Sequence, residues 1–258
     1  TMLVLLSCAK TMSAVSKVKV PLTTIPRFQK EAAEIALQMS QFSVDELERL
    51  LRVNAKIAVE NYKRYQAFHA ETTPELPALL AYTGIVFKRL NPKDFSAEDF
   101  GYAQEHLRLT SFCYGLLRPL DVIRAYRLEG DVVLPELGNQ TLFSYWRSRL
   151  TDTFIEDIRS AGGILCNLAS DEMKSLFDWK RVESEVRVIT PEFHVWKNGK
   201  LATIVVYTKM SRGEMTRFIL KNKIGNPEEL KGFSWEGFEF DESLSDERKL
   251  VFINGMGE

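Results

Sequence analysis

The 258-residue chain carries 34 Lys plus Arg against 35 Asp plus Glu, a formal charge of -1, with 45% hydrophobic and 27% charged residues. These values exclude disordered and fibrous classes and suit one globular domain that buries its own core. No apolar run reaches the roughly 20 residues of a membrane-spanning helix, and Cys8, Cys113 and Cys166, without C-x-x-C spacing, point to a reducing cytoplasmic setting.

Thr1 precedes Met2, the expected natural start. The run Leu3–Leu6 is too short, and too poor in preceding positive charge, for a secretory signal, and reads as a buried strand. A polar, basic loop comes next, which Pro21 and Pro26 keep from being helical. Helices are predicted over 28–40, from the Ser43/Glu46 capping box onward, over 55–68, from Ser96 and Asp99 onward, and over 141–160. Residues 164–168 suit a buried strand and 185–189 a half-exposed one. Asn198-Gly199 between the runs 192–196 and 201–207 is a hairpin signal. Ser211 with Glu214 predicts the start of a last amphipathic helix ended by Gly225, and Asn226-Pro227 the start of a short one. Strands near 237–240 and 249–253 complete the pattern. The expected fold is mixed α/β, with largely antiparallel strands and packed helices in one compact domain over 2–258. The regular β-α-β-α alternation of a doubly wound fold is absent.

The neutral total hides segregated charge. Residues 1–30 hold Lys10, Lys17, Lys19, Arg27 and Lys30 without an acid. Residues 106–128 hold Arg108, Arg118, Arg124 and Arg127 against Asp121, and residues 207–224 hold Lys209, Arg212, Arg217, Lys221 and Lys223 against Glu214. Residues 235–247 are acidic throughout their charged positions. The basic segments either line one anion-attracting cleft or form separate solvated faces.

No glycine-rich dinucleotide fingerprint, Walker-type loop, H-E-x-x-H or G-x-S-x-G is present, which removes the common nucleotide, metalloprotease and hydrolase motifs. Ser7-Cys8-Ala9-Lys10 has the S-x-x-K spacing in which a lysine activates a serine, but it comes after a strand instead of lying on a helical turn. Lys10 alternatively supplies an anion contact, and Cys8 is a redox thiol only if neighbouring cations lower its pKa. In the dense segment 106–121, Gly115 permits a tight turn or close ligand approach. Arg118, Arg124 and Arg127 form either a phosphate-binding fork or a salt-bridge corner with Asp121 and Glu129. Lys209 and Arg212, at the predicted start of a helix, oppose its dipole, a conflict that a bound anion resolves. Ser170 with Asp171 and Glu172 is explained by capping, and Asn167 at the preceding strand end is a candidate site residue.

Several of these stretches together resemble the peroxide stress protein YaaA family. They are Met2–Lys10 (MLVLLSCAK), Tyr114–Asp121 (YGLLRPLD), Tyr126–Glu129 (YRLE), Asn167–Ser170 (NLAS), Arg212-Gly213, and the stretch from Gly232-Phe233 through Phe240-Asp241. The resemblance implies a cytoplasmic bacterial protein of peroxide resistance that limits free intracellular iron. It also implies a compact α/β fold with a helix-hairpin-helix element and a positively charged cleft that binds DNA. Lys10, Arg118, Arg127 and Arg212 match by motif, and Arg108 by basic character. The hairpin element is expected at 96–124, around Tyr114-Gly115, with 211–224 and 227–231 as the rival location. The chain departs from the family at Cys8, where proline is usual, and at Phe112, where a glycine is common. Gly84-Ile85-Val86-Phe87 stands for Gly-Asp-Val-Tyr, and Met173 stands where tyrosine is typical.

These residues support two functional expectations. The first is a DNA-binding protein of the peroxide response, contacting double-stranded DNA phosphates through Lys10, Arg108, Arg118, Arg127, Lys209, Arg212 and Arg217, mostly without sequence readout. The second is an enzyme acting on a nucleotide or nucleobase, with Ser7, Lys10 and Asn167 as catalytic candidates. No cofactor, metal or membrane partner is expected. Direct iron storage is disfavoured because the acidic block lacks Glu-x-x-His pairing.

Overall fold

The computed structural model describes residues 1–255, so the last three residues of the 2–258 span lie outside the described residues. The first strand, β1 (Met2–Leu6), is buried at every position. Because successive side chains point to opposite faces, full burial means both faces are covered, which accounts for its unbroken apolar sequence. Three helices come next, α1 (Gln29–Met39), α2 (Val44–Leu51) and α3 (Ala55–Ala67), and then the short α4 (Ile85–Leu90) and α5 (Ala97–His106). Both predicted capping boxes are present: Ser43 and Ser96 each accept from the backbone N–H three residues on, while Glu46 and Asp99 return the bond.

The chain then forms β2 (Leu107–Ser111), β3 (Gly115–Leu117), α6 (Leu142–Ser160), β4 (Ile164–Asn167), α7 (Trp179–Glu185) and β5 (Arg187–Lys197). It finishes with β6 (Lys200–Ala202), α8 (Val205–Asn222), β7 (Ser234–Trp235), β8 (Phe238–Phe240) and β9 (Lys249–Asn254). One mixed sheet runs β7-β8-β9-β5-β4-β1-β2-β3, with β6 paired to β5. The class is mixed α/β, as expected, and the antiparallel pairings of this sheet are the hairpins: β2–β3, β5–β6, β7–β8 and β8–β9. Its centre is parallel, with β1 between β4 and β2, β4 beside β5, and β5 beside β9. From β1 the chain passes to β2 on one side and later to β4 on the other. The strand order therefore reverses beside β1, the topological position where open α/β sheets bind ligands at their carboxyl ends.

Two sequence expectations are corrected. Residues 201–207 form a strand only to Ala202, and α8 begins at Val205. Ser211 is thus two turns inside the helix: its hydroxyl donates to the Tyr207 carbonyl at 2.7 Å and accepts from Trp235 Nε1 at 2.8 Å. The β propensity of Ile204-Val205-Val206 is overridden by tertiary packing. Gly213 lies so close to α4 that a Cβ there would enter the Val86 carbonyl, which seats this helix against its neighbour. The second correction concerns 96–124. Helix α5 is there, but residues 107–117 are a buried β-hairpin within the sheet and not the turn of a helix pair. The rival location holds the end of α8, a turn through Lys223 in the left-handed region (φ 52°) and a 3-10 helix over Pro227–Gly232.

The β2–β3 hairpin depends on Gly115, whose φ is +76° and whose added Cβ would stand 2.7 Å from the Trp146 ring. Trp146 Nε1 in turn donates to the Phe112 carbonyl at 2.8 Å. The close approach that this glycine permits is to α6, not to a ligand. Beneath it, Ser111 Oγ accepts from the Tyr114 amide at 2.9 Å and pairs with the Tyr126 hydroxyl at 2.6 Å, so the buried polar groups of the turn are satisfied. No helix among the described residues is long and apolar enough to cross a membrane.

Gly115→Ala is expected to destabilise the protein by about 2–4 kcal/mol, combining overpacking with left-handed strain. Gly101→Ala, on open helix surface, is expected to be neutral or slightly stabilising. Urea unfolding midpoints compared at unchanged slope check both.

Candidate anion-binding cleft

A cleft of about 560 Å³ opens at the carboxyl ends of the central parallel strands. Its floor is built from the segments that leave the strand ends: Leu6–Thr11 after β1, Phe112 after β2, and Leu168, Ser170, Glu172 and Met173 after β4. The loop Arg127–Glu129 and the segments Thr83–Phe87 and Val205–Arg212 supply further lining. The loop is held at its start by Tyr65, whose hydroxyl donates to the Arg127 carbonyl.

The two strand-end segments are tied to each other. Ser7 Oγ accepts from the Ser170 amide at 2.9 Å and lies 3.2 Å from Ser170 Oγ. The Cys8 amide donates to Thr110 Oγ1 at 3.3 Å. Lys10 Nζ sits 3.0 Å from Glu129 Oε1, joining an exposed ammonium to a carboxylate that is 8% exposed. Lys10 is therefore committed to Glu129 and not to Ser7, which removes the geometric basis for a Ser–Lys dyad. Glu172, read from sequence only as a capping acid, also lines the cleft. Partial burial and then the Glu129 carboxylate push its pKa up, while Lys10 pulls the other way. No local sequence signal distinguishes this role, because a first-turn acid looks the same whether or not it faces a cavity.

The cations divide into two groups. Lys209 and Arg212 on α8, and Arg127 on the loop, line the cleft without a side-chain hydrogen bond or ion pair among the described residues. Arg127 Nε is buried without a partner among those residues. Burial lowers the pKa of the Arg212 guanidinium, with only the charge of Asp171 opposing, yet an arginine remains charged at neutral pH. A half-buried cation without a counter-ion is unfavourable unless a ligand supplies the anion.

The other predicted cations are consumed internally. Arg108 is buried; its Nε bonds Asp157 at 2.7 Å, and Nη1 reaches the Gln104 and Leu107 carbonyls. Arg118 pairs with Asp121 at 2.9 Å and donates to the Ile25 carbonyl. Arg217 binds Asp94 through both terminal nitrogens. Arg124 holds Glu75 and the Phe68 and Ala70 carbonyls. The salt-bridge corner thus forms between Arg118 and Asp121, whereas Glu129 takes Lys10 instead of an arginine. Asn167 is buried, and its Oδ1 accepts from the Ala169 amide at 3.1 Å, shaping the turn after β4 without lining the cleft. Since Lys209 and Arg212 lie inside α8, the helix-dipole argument for an anion at their position fails, and their lack of partners replaces it.

Fold and site together define a mixed α/β protein with a cleft, lined by both cations and carboxylates, at its strand-order reversal. Residues 2–244 match the family described as "Peroxide stress protein YaaA", and the chain belongs to that family. It is 99% identical over 257 residues to a UPF0246 protein of Bacteroides thetaiotaomicron, covering 100% of each chain. It is 51% identical to a UPF0246 protein of Porphyromonas gingivalis, covering 98% of this chain and 99% of the relative. A UPF0246 protein of Crocosphaera subtropica is 38% identical, with 98% and 100% covered.

Burial pushes the Cys8 thiol up to about 12, and it raises Cys113 and Cys166 as well. The thiolate form is disfavoured at all three, the half-buried Cys8 lining the cleft and the other two buried in the core. Thiol labelling of the native protein at about pH 7.5 is expected to be at least roughly tenfold slower than that of a free thiol, with all three residues reacting together in denaturant. Rapid native labelling of Cys8 would contradict this account of its environment.

Proposed function

We propose that this peroxide stress family member acts by holding nucleic-acid phosphates in the cleft, through Arg127, Lys209 and Arg212. The observation that supports this reading best is that the half-buried Arg127 and Arg212 make no side-chain hydrogen bond or ion pair among the described residues at a topological ligand position, with the exposed Lys209 beside them, while Arg108, Arg118 and Arg217 are used as scaffold. Phosphate is the chemistry that a cluster of fork donors and an ammonium matches best. Of the seven cations expected from sequence, this reading keeps Arg127, Lys209 and Arg212 as contacts, leaves Lys10 with Glu129 and assigns Arg108, Arg118 and Arg217 to holding the fold. DNA bound in this way is read through its backbone and without base specificity. On this proposal the protein is cytoplasmic and limits free iron through that binding. A second reading, an enzyme acting on a nucleotide or nucleobase, draws support from the carboxylates of Glu129 and Glu172 sharing the same cleft, although Ser7 and Lys10 do not form the dyad expected for it.

The test is binding of a fluorescent oligonucleotide, single-stranded and duplex, across a salt series. Affinity is expected to fall log-linearly with salt, and Arg127→Ala and Arg212→Ala to make the slope shallower by about one each. Arg217→Ala is expected to keep the wild-type slope. Salt-insensitive binding, or wild-type behaviour in both cleft variants, would overturn the proposal.

A further inference from the structure

Resting on that phosphate reading, we infer that the cleft takes a single unstacked nucleotide, its phosphate on Arg127 and Arg212 and its base against the apolar lining. Phosphate alone explains only part of the cavity. The lining includes the buried Phe112, Leu128 and Met173, the half-buried Ile85 and the exposed Val205 and Val206. An inorganic anion has no use for such surface, whereas a base does. The volume of about 560 Å³ lies within the range of small-molecule sites.

Helix α8 displays the same division along one face. Val205, Lys209 and Arg212 fall at helical spacing i, i+4 and i+7, so they form one stripe. Val205 is 66% exposed and Val206 40% exposed, while Arg212 is half-buried. Seven residues of helix span about 10 Å, enough to separate a base from its phosphate. Polar groups for a base or sugar are at hand in Ser7, Thr11 and Ser170. The strand-end geometry therefore presents hydroxyls, an apolar surface and cations to one ligand, and a nucleotide is the ligand class that uses all three. Free mononucleotides and a nucleotide extruded from a nucleic-acid strand share this chemistry, and the experiment separates them.

Displacement of the bound fluorescent oligonucleotide is measured with AMP, adenosine and inorganic phosphate, and direct AMP binding is measured by calorimetry. AMP is expected to compete at least roughly tenfold better than phosphate or adenosine. Val206→Asn, a neutral polar change at an exposed position, is expected to weaken AMP at least several-fold while leaving phosphate binding within about twofold; Arg212→Gln is expected to weaken both. An oligonucleotide carrying one abasic position at an otherwise unpaired site is expected to bind less tightly than its intact counterpart if the source is a strand, and equally if it is the free nucleotide. AMP no better than phosphate, or AMP affinity unchanged in Val206→Asn, would overturn the inference. Oligonucleotide binding without any preference for AMP defeats this inference alone. AMP binding without oligonucleotide binding defeats the nucleic-acid reading alone.

Discussion

The burial of β1 is the constraint on which the rest of the molecule depends. Its five residues are enclosed on both faces and both edges, by β4 on one side and β2 on the other. Such a strand has to be apolar throughout, and it has to be parallel to neighbours delivered by long crossovers. Those crossovers leave β1 in opposite directions, so their loops separate where the strand ends. The cleft is that separation. Ser7 through Thr11 emerge into it because the apolar run stops at Leu6, and the Ser7–Ser170 bonds fix how far the two strand ends stand apart.

The remaining architecture sorts the cations. Arginines that lie under the sheet or between helices meet carboxylates: Asp157 accepts from both Arg27 and Arg108, and Asp94 accepts a fork from Arg217. Asp99 anchors the end of α8 to α5, taking Lys221 at 2.9 Å and Lys223 at 3.1 Å. Against the desolvation that its burial imposes, the Ser96 amide and these two ammonium groups hold its carboxyl well below the usual range. A carboxylate depressed in this way contributes stability above the unfolded value near ~4 and loses it as pH falls through the folded value. No such pairing among the described residues compensates the half-buried Arg127 and Arg212, the latter opposed only by the charge of Asp171. Buried or half-buried charge is retained without a partner where function and stability pull apart.

Much of the fold is legible from local signals, because those signals describe backbone chemistry that tertiary structure does not alter. The capping boxes at Ser43 and Ser96 are of this kind, as is the Asn198-Gly199 turn with φ of 53° and 72°. The parallel centre is not legible, since a short apolar run such as Ile164–Asn167 looks the same whichever way its neighbour runs. The start of α8 misleads because Val205 and Val206 favour strands and Ser211 with Glu214 imitates a cap, whereas the packing of α8 against α4, closest at Gly213, is a long-range contact. For the site, charge segregation marks the right residues along with too many others. Lys10, Arg127, Lys209 and Arg212 share one cleft, while Arg108, Arg118 and Arg217 have the same sequence character and different neighbours. Partner identity is a long-range property: Asp157 lies 49 positions from Arg108 and 130 from Arg27. No window of sequence contains it.

The cleft arginines differ from the others in being uncompensated, and this difference is open to direct measurement. Thermal unfolding of Arg212→Met and Arg108→Met, with and without inorganic phosphate, tests it most directly. Arg212→Met is expected to melt at or above the wild-type temperature without phosphate and to lose the stabilisation that phosphate gives the wild type. Arg108→Met is expected to lose about 3 kcal/mol and to keep the phosphate response. An Arg212→Met protein that is as destabilised as Arg108→Met, or that responds to phosphate as the wild type does, would contradict the account.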